Sequence, residues 1–273
     1  TGVASSPFVV TTSVAGTYTV VNVTDANSCS NAGTGSASVV VNPLPTPIIS
    51  ASGPTSFCSG DSVTLTSTAS GTYAWSSGQI TQSIVVTSAG SYVVTVTDSK
   101  GCSGASAATV VTVFSLPTPA ITNSGPLSFC SGDSVTLTSS ASTAYLWSNS
   151  ATVQSIVVTS PGNYNVTVTD GNNCDGVSAN VNITVYSNPV AVITPSGATT
   201  FCSGGSINLS SSASNSYLWS TAETTQGISV SSSGIFLVTI KDSNGCTDSA
   251  SVNVVVNPNP TSTTATTNEN CGL

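Results

Sequence analysis

Ionic side chains are almost absent from this sequence. Charged residues make up 4% of the chain, against about 25% in ordinary soluble domains. There is no His, Arg or Met, and Lys100 and Lys241 are the only cationic side chains, so the formal net charge is −8. Binding to nucleic acid or to an anionic membrane surface depends on clustered basic groups. The composition therefore excludes both as partners.

Patterns that would support catalysis or membrane insertion are also missing. A serine nucleophile needs a base, but there is no His and the two lysines are isolated. Glu223 and Glu269 are the only glutamates, which leaves little for paired-carboxylate chemistry. No apolar run approaches the ~18 residues of a transmembrane helix, and no signal-peptide pattern is present. We therefore expect no enzymatic activity, no cofactor and no membrane insertion.

What the sequence does contain is a repeat with a period of 72 residues. The segment from Ser56 to Leu65 recurs letter for letter from Ser128 to Leu137, and a degenerate copy begins at Thr200. Such a period indicates a tandem array of small modules, each with its own core. The cysteines and tryptophans that follow this period are Cys58, Cys130 and Cys202, then Cys102, Cys174 and Cys246, then Trp75, Trp147 and Trp219.

Proline-rich joints separate the modules, as in Pro43-Leu44-Pro45-Thr46-Pro47. These joints favour extended backbone and semi-rigid spacing. We predict complete modules at 46–115, 118–187 and 190–257, which are called modules 1, 2 and 3 below. Residues 1–43 match the C-terminal part of a repeat, and residues 258–273 match a linker and the start of a further repeat.

Within a module the apolar residues alternate with a period of two, and no segment has helical periodicity. Six or seven short strands in about 70 residues predict an all-β fold, a tandem array of immunoglobulin-like β-sandwich domains. Equivalent spacing in every copy favours core positions over exposed sugar-stacking sites for the large aromatic residues. The predicted core aromatics are Trp75, Trp147, Trp219, Tyr92, Tyr164 and Phe236.

The cysteines allow two pairings, and both assume an oxidising extracellular setting. Zinc is disfavoured because CxxC pairs and His ligands are absent. Pairing within modules would close 44 residues per bond, worth about 4 kcal/mol in the chain-entropy model. These bonds would be Cys58–Cys102, Cys130–Cys174 and Cys202–Cys246.

Geometry favours the second pairing, which joins consecutive modules. The two cysteines of one module fall in turns at opposite ends of an immunoglobulin-like sandwich, too far apart for the ~5.5 Å Cα separation of a disulfide. Head-to-tail stacking would instead join Cys58 to Cys174 and Cys130 to Cys246. The cysteines left to pair with modules outside the sequence would be Cys29, Cys102, Cys202 and Cys271.

The turn before the second cysteine of each module carries candidate calcium ligands. The candidate ligands are Asp98, Asp170 and Asp242. Each turn offers only one or two carboxylates, and no bidentate Glu follows at the EF-hand spacing. Asx turns between two strands explain the same residues, and we favour that interpretation over a metal site.

The motifs Cys-Ser-Gly-Asp-Ser-Val-Thr-Leu, Tyr-x-Trp-Ser and Gly-x-Tyr-x-Val-Thr-Val-Thr-Asp together resemble the Ig-like and PKD-like repeats of giant Bacteroidota surface proteins. This group includes gliding-motility adhesins exported by the type IX secretion system. The resemblance implies a cell-surface location, long arrays and adhesion. It also implies possible O-glycosylation of Asp-Ser/Thr-apolar triplets, here at Ser62, Ser134 and Ser249.

Two functions remain open at this point. One is a stalk whose modules contact neighbouring repeats, and other chains laterally, while spacing an adhesive region from the cell. The other is an array of weak sites for carbohydrate or another surface, which would gain affinity by multivalency. The near-identity of modules 1 and 2, together with the scarcity of exposed aromatic residues, favours the stalk.

Overall fold

The computed structural model describes residues 9–262 and is all-β. The chain divides into two compact units between Leu116 and Pro117. The first unit holds the leading segment and module 1, and the second holds modules 2 and 3. In the described range there is no helix long and apolar enough to cross a membrane.

Between residues 9 and 116 the first unit contains thirteen strands, four of them in the leading segment. Those four are β1 (Gly16–Thr19), β2 (Asn22–Thr24), β3 (Ser30–Ala32) and β4 (Ser36–Val39). Module 1 contains β5 (Ile49–Ala51), β6 (Ser56–Cys58), β7 (Val63–Ser67), β8 (Thr72–Trp75), β9 (Ser83–Val86), β10 (Gly90–Tyr92), β11 (Val94–Thr97), β12 (Ser103–Ala105) and β13 (Thr109–Phe114).

The second unit repeats this order twice. Module 2 contains β14 (Ile121–Asn123), β15 (Ser128–Cys130), β16 (Val135–Ser139), β17 (Ala144–Trp147), β18 (Ser155–Val158), β19 (Gly162–Tyr164), β20 (Val166–Thr169), β21 (Asp175–Val177) and β22 (Val181–Tyr186). Module 3 contains β23 (Ile193–Pro195), β24 (Thr200–Cys202), β25 (Ile207–Ser211), β26 (Ser216–Trp219), β27 (Gly227–Val230), β28 (Gly234–Lys241) and β29 (Thr247–Asn257).

Strand pairing confirms the immunoglobulin-like sandwich. In module 2, one sheet has the antiparallel order β14-β16-β18. Opposite it, β15 runs parallel to β22, which pairs antiparallel with β19, while β20 pairs with β17 and β21. The parallel pair places Cys130 beside Tyr186 at the end of the module's last strand. Modules 1 and 3 pair in the same way.

Module 3 has fewer, longer strands than module 2 and one residue fewer before the end of its last strand, since Phe129 pairs with Val185 but Phe201 pairs with Val256. In module 2 the side chain of Ser178 accepts the N–H of Val166 at 3.0 Å, and the ladder breaks into β19/β20 and β21/β22. Ala250 stands 72 residues after Ser178 and offers no hydroxyl. There the ladder between β28 and β29 runs unbroken from Gly234 to Lys241. We attribute the break to a β-bulge that the Ser hydroxyl stabilises.

Each module buries a separate apolar core between its two sheets. The alternation seen in the sequence is responsible, because Val135 and Leu137 point inward and are 1% and 0% exposed, while Thr136 between them is half-buried. Trp75, Trp147 and Trp219 lie in these cores, and each indole N–H donates to a carbonyl, that of Thr81, Val153 and Thr225 respectively.

The aromatic residue of the tyrosine-corner position closes the core in each module. The Tyr92 hydroxyl donates to the Ser88 carbonyl at 3.0 Å, and that of Tyr164 donates to Ser160 at 3.1 Å. Tyr92 and Phe236 are buried and Tyr164 is half-buried. Phe236 has no hydroxyl, so module 3 lacks this hydrogen bond, as the sequence indicates.

One buried serine recurs in all three cores, at Ser67, Ser139 and Ser211. Within the part of the chain that the structure describes, no group hydrogen-bonds to any of these three hydroxyls. A buried hydroxyl without a partner is destabilising, since it gives up its hydration. Each module is therefore destabilised at the same position of its core.

We expect Ser139→Ala to stabilise module 2 by about 1 kcal/mol, because it removes an unpaired buried hydroxyl at almost constant volume. For a domain of this size that corresponds to a rise in Tm of roughly 4–8 °C. Differential scanning calorimetry measures the change. Ser134→Ala, at an exposed position of the same module, is the matched control and should leave Tm unchanged. A lower Tm for Ser139→Ala would show that the hydroxyl is paired in solution.

Candidate functional site

The joint between modules 2 and 3 is the most constrained feature of the second unit. Cys130, at the end of β15, forms a disulfide with Cys246, in the turn between β28 and β29. Their Cα atoms are 5.5 Å apart, although 116 residues separate them in sequence. Cys246 is fully buried. The bond therefore ties the last turn of module 3 to the first strands of module 2.

This bond settles which of the two pairings these residues adopt. The within-module alternative is wrong for Cys130–Cys174 and Cys202–Cys246, because Cys130 and Cys246 bond to each other. It is wrong for Cys58–Cys102 as well, because Cys102 is a free thiol. The physical reason is topological: within one sandwich the first and second cysteines lie in turns at opposite ends.

The remaining cysteines fall into two groups. Cys58 and Cys174 are both disulfide-bonded, and their pairing with each other stays a prediction. Cys29 and Cys202 are exposed thiols, and Cys102 is half-buried. Pairing of these three with further modules also stays a prediction. Cys271 lies outside the described residues.

The Asx turns explain how the second cysteine of each module is held in place. Oδ1 of Asp242 accepts the backbone N–H groups of Asn244 at 2.9 Å and Cys246 at 2.8 Å. Asp98 and Asp170 make the same two bonds in modules 1 and 2. The pKa of the Asp170 carboxyl is lowered, and the hydrogen bond from the backbone N–H of Cys174 is the main cause. The candidate calcium ligands thus act as turn acceptors, and among residues 9–262 no three metal-ligating side chains cluster.

The segment 188–191, which leads from module 2 into module 3 and is called the linker here, is hydrogen-bonded at both ends. The side-chain N–H of Asn188 donates to the carbonyl of Ser131, next to Cys130 in module 2, at 3.0 Å. The backbone N–H of Ala191 donates to Oδ2 of Asp248 in module 3 at 2.7 Å. Pro189 stands between these two contacts and restricts the backbone further. The linker is therefore docked onto the modules that it connects.

The position of Asp248 shows how linker docking varies along the array. The equivalent residue is Gly104 in module 1 and Gly176 in module 2, and each lies against a linker carbonyl, that of Pro45 or Pro117. A Cβ atom at either glycine would collide with that carbonyl. Module 3 therefore uses a carboxylate–amide hydrogen bond where modules 1 and 2 use close backbone contact. Sequence reasoning missed this contact, although a Gly in two copies and an Asp in the third was a usable signal.

The linker contact of Asp248 should depend on pH. The N–H of Ala191, and then that of Ser249, lower the pKa of this carboxyl below its ordinary value of 3.8. Because the pKa is lower in the folded state, the contact contributes fully to the free energy of unfolding above the ordinary value. This contribution is lost as the pH falls through the folded-state pKa. We expect the amide resonance of Ala191 to titrate in that acidic range in an NMR pH series. Asp248→Asn should abolish the titration, and an unchanged titration in this variant would contradict the assignment.

The predicted modification sites lie at the surface. Ser62, Ser134 and Ser249 are all exposed, and the hydroxyl of Ser249 is 2.9 Å from that of Thr239. Val63 and Val135, the next residues after the first two serines, are buried, as strand alternation predicts. Glycosylation at these three serines stays a prediction.

No family model and no curated protein matches the chain. Among solved structures, it is similar to a Ca²⁺-stabilised adhesin with which an Antarctic bacterium binds ice, at 15% identity over 87% of this chain and 80% of that one, with a TM-score of 0.38. A 1.5-MDa bacterial ice-binding adhesin is 14% identical over 80% of this chain and 99% of its own, with a TM-score of 0.31.

Three N-terminal domains of the bacteriophage RB49 outer capsid protein Hoc are similar at 18% identity, over 79% of this chain and 99% of theirs, with a TM-score of 0.30. The immunoglobulin-like assignment rests on the strand pairing of this chain rather than on these distant similarities.

Proposed function

We propose that this chain is a segment of the stalk of a large secreted cell-surface adhesin, where it spaces an adhesive region from the cell. The observation that carries the proposal is the Cys130–Cys246 disulfide, because it joins one module to the next rather than stabilising either one alone. A binding or catalytic domain needs no such bond, whereas a spacer must keep its reach under tension. The partners of each module are then its neighbouring repeats.

Three further features support a spacer outside the cell. Disulfides persist in oxidising compartments, which fits the extracellular surface. Each module has its own core, so the array can be lengthened by adding repeats. The docked linker limits bending between modules 2 and 3. The repeat motifs extend the proposal to surface attachment or gliding motility in Bacteroidota, with export by the type IX system and lateral association of chains.

Exchanging and deleting modules in the cells that produce the protein tests this role. Residues 117–186 would be replaced by a copy of residues 45–114, which changes the surface of module 2 but keeps the length and the cysteines. For a spacer, we expect unchanged attachment of cells to a solid surface. Deleting residues 117–188, one full repeat, should weaken attachment, because the adhesive region then has less reach. Loss of attachment after the exchange, with no effect of the deletion, would contradict the proposal.

Cell-surface display is checked in the same cells. Proteinase K added to intact cells should degrade the chain, as detected with an antibody against module 1. A cytoplasmic protein serves as the control and should stay intact. Protection of both proteins would contradict the extracellular location.

A further inference from the structure

An open cleft recurs beside the linker in modules 2 and 3. In module 2 it has a volume of about 500 Å³, and its lining includes Pro117 of the linker, Ser142 and Thr143 of the loop between β16 and β17, and Asp170. In module 3 it has a volume of about 440 Å³, and the equivalent lining residues are Pro189, Ser214, Asn215 and Asp242. Every lining residue of the module 3 cleft stands 72 positions after a lining residue of the module 2 cleft.

The loop that forms one wall of each cleft is fixed by a tyrosine. In module 2 the hydroxyl of Tyr145 accepts the N–H of Ser142 at 2.9 Å and donates to its carbonyl at 3.2 Å. In module 3 Tyr217 makes the same two bonds to Ser214, at 2.9 and 3.1 Å. The cleft is therefore formed before any ligand arrives, which reduces the entropy lost on binding.

The serines and aspartates in the clefts act as hydrogen-bond acceptors toward a ligand, whereas the side-chain amide of Asn215 can also donate. The hydroxyl of Ser142 already donates to the carbonyl of Thr169 at 2.6 Å, and that of Ser214 donates to the backbone carbonyl of Lys241 at 2.8 Å. Only the oxygen lone pairs of these two hydroxyls remain available, so both groups can accept a hydrogen bond from a ligand. Asp170 and Asp242 contribute carboxylates, which only accept when ionised. Proline rings supply apolar surface at the linker side.

We propose that each cleft is a weak subsite for a neutral polysaccharide. Sugar hydroxyls can all donate, which suits a cleft lined with acceptors, and the apolar faces of the rings can lie against the prolines. Anionic polysaccharides are disfavoured by the carboxylates and by the net charge of −8. A peptide strand fits less well, because most of its carbonyl groups would face acceptors and stay unpaired. Repetition of the subsite suits a long repetitive ligand, since linked weak sites gain affinity together.

Affinity electrophoresis of the whole chain tests the proposal, with dextran, laminarin and xyloglucan as neutral probes in the gel and alginate as an anionic one. We expect retardation by at least one neutral probe and none by alginate. The variant Thr143→Arg/Asn215→Arg fills both clefts and should restore the mobility seen without polysaccharide. Thr152→Arg/Thr224→Arg adds the same charge at exposed, equivalent positions elsewhere on the two modules and should still be retarded. Thr143→Arg alone and Asn215→Arg alone should each weaken binding by about tenfold, because linked sites lose more than the factor of about two expected for independent sites.

Several outcomes would overturn the proposal. One is normal mobility of the unaltered chain in all three neutral gels, and another is equal retardation of the cleft and control variants. Retardation by gelatin but by no neutral polysaccharide, lost in the cleft variant, would assign the clefts to peptide instead. None of these results bears on the stalk role, which depends on the joint disulfide rather than on the clefts.

Discussion

Pulling on modules 2 and 3 should release only the short segments outside the Cys130–Cys246 loop while that bond is intact. The bond gives the tension a covalent path from the first strands of module 2 to the last strand of module 3. The residues between the two cysteines, whose sequence separation is 116, are then shielded from the force. Fully extended, they would span roughly 400 Å, at about 3.5 Å per residue. Breaking the bond should therefore add about that length when both modules unfold.

Single-molecule force spectroscopy measures this difference. Handles would be attached by non-thiol chemistry at Thr118 and Asn259 of the full chain, so that only modules 2 and 3 are stretched. Cys130→Ser should show the long extension without reductant, as should the unaltered chain under reducing conditions. Cys202→Ser removes a cysteine that is free in the structure and is the matched control, with the short extension expected. A long extension from the oxidised, unaltered chain would rule out a covalent path for the tension.

Trp147→Ala should unfold module 2 while module 1 stays folded. Trp147 is 2% exposed at the centre of one of three separate cores, and its indole N–H donates to Val153 at 2.8 Å. Replacing a buried aromatic residue of this size with Ala destabilises by about 3–5 kcal/mol. That is a large share of the stability of a module of some 70 residues. The disulfide cannot compensate, because it fixes one end of the module and not its centre.

Limited proteolysis with mass spectrometry distinguishes the modules in this variant. We expect cleavages of Trp147→Ala to fall within residues 118–187, with residues 46–115 protected. Leu146→Ala is the control, since Leu146 precedes Trp147 on the same strand but is 53% exposed. It should be cleaved no faster than the unaltered chain. Simultaneous loss of protection in modules 1 and 2 would show that their cores are not independent.

The strands and the core could be predicted because both depend on local alternation repeated in every copy. Val135 and Leu137 occupy core positions since each stands in a period-two pattern with polar neighbours, and Trp147 was predicted to be buried because a Trp recurs at the same spacing in every copy. The Asx turns at Asp170 and Asp242 were predictable for a similar reason, as one side chain bonds to the backbone two and four residues later. Repetition strengthened both inferences, because a chance pattern does not return at the same offset.

Contacts between segments distant in sequence were harder to predict. The disulfide partner of Cys130 depends on which end of the sandwich each turn occupies, so the sequence left two pairings open until the topology was known. A side chain at position 176 would collide with the backbone carbonyl of Pro117, which is why Gly176 stands there. Sequence patterns do not reveal contacts with backbone atoms. The unpaired hydroxyl of Ser139 was hidden because serines are common throughout the chain. The cleft residues looked like ordinary turn residues for the same reason.

Disulfide mapping on the oxidised protein tests the central claim most directly. The thiols would be blocked with N-ethylmaleimide at acidic pH, so that bonds do not exchange, and the chain digested without reduction. Mass spectrometry should identify a peptide pair joining Cys130 to Cys246, with the maleimide adduct on Cys102 and Cys202. A pair joining Cys130 to Cys174 would mean that each module closes its own bond, and the covalent joint would then be wrong.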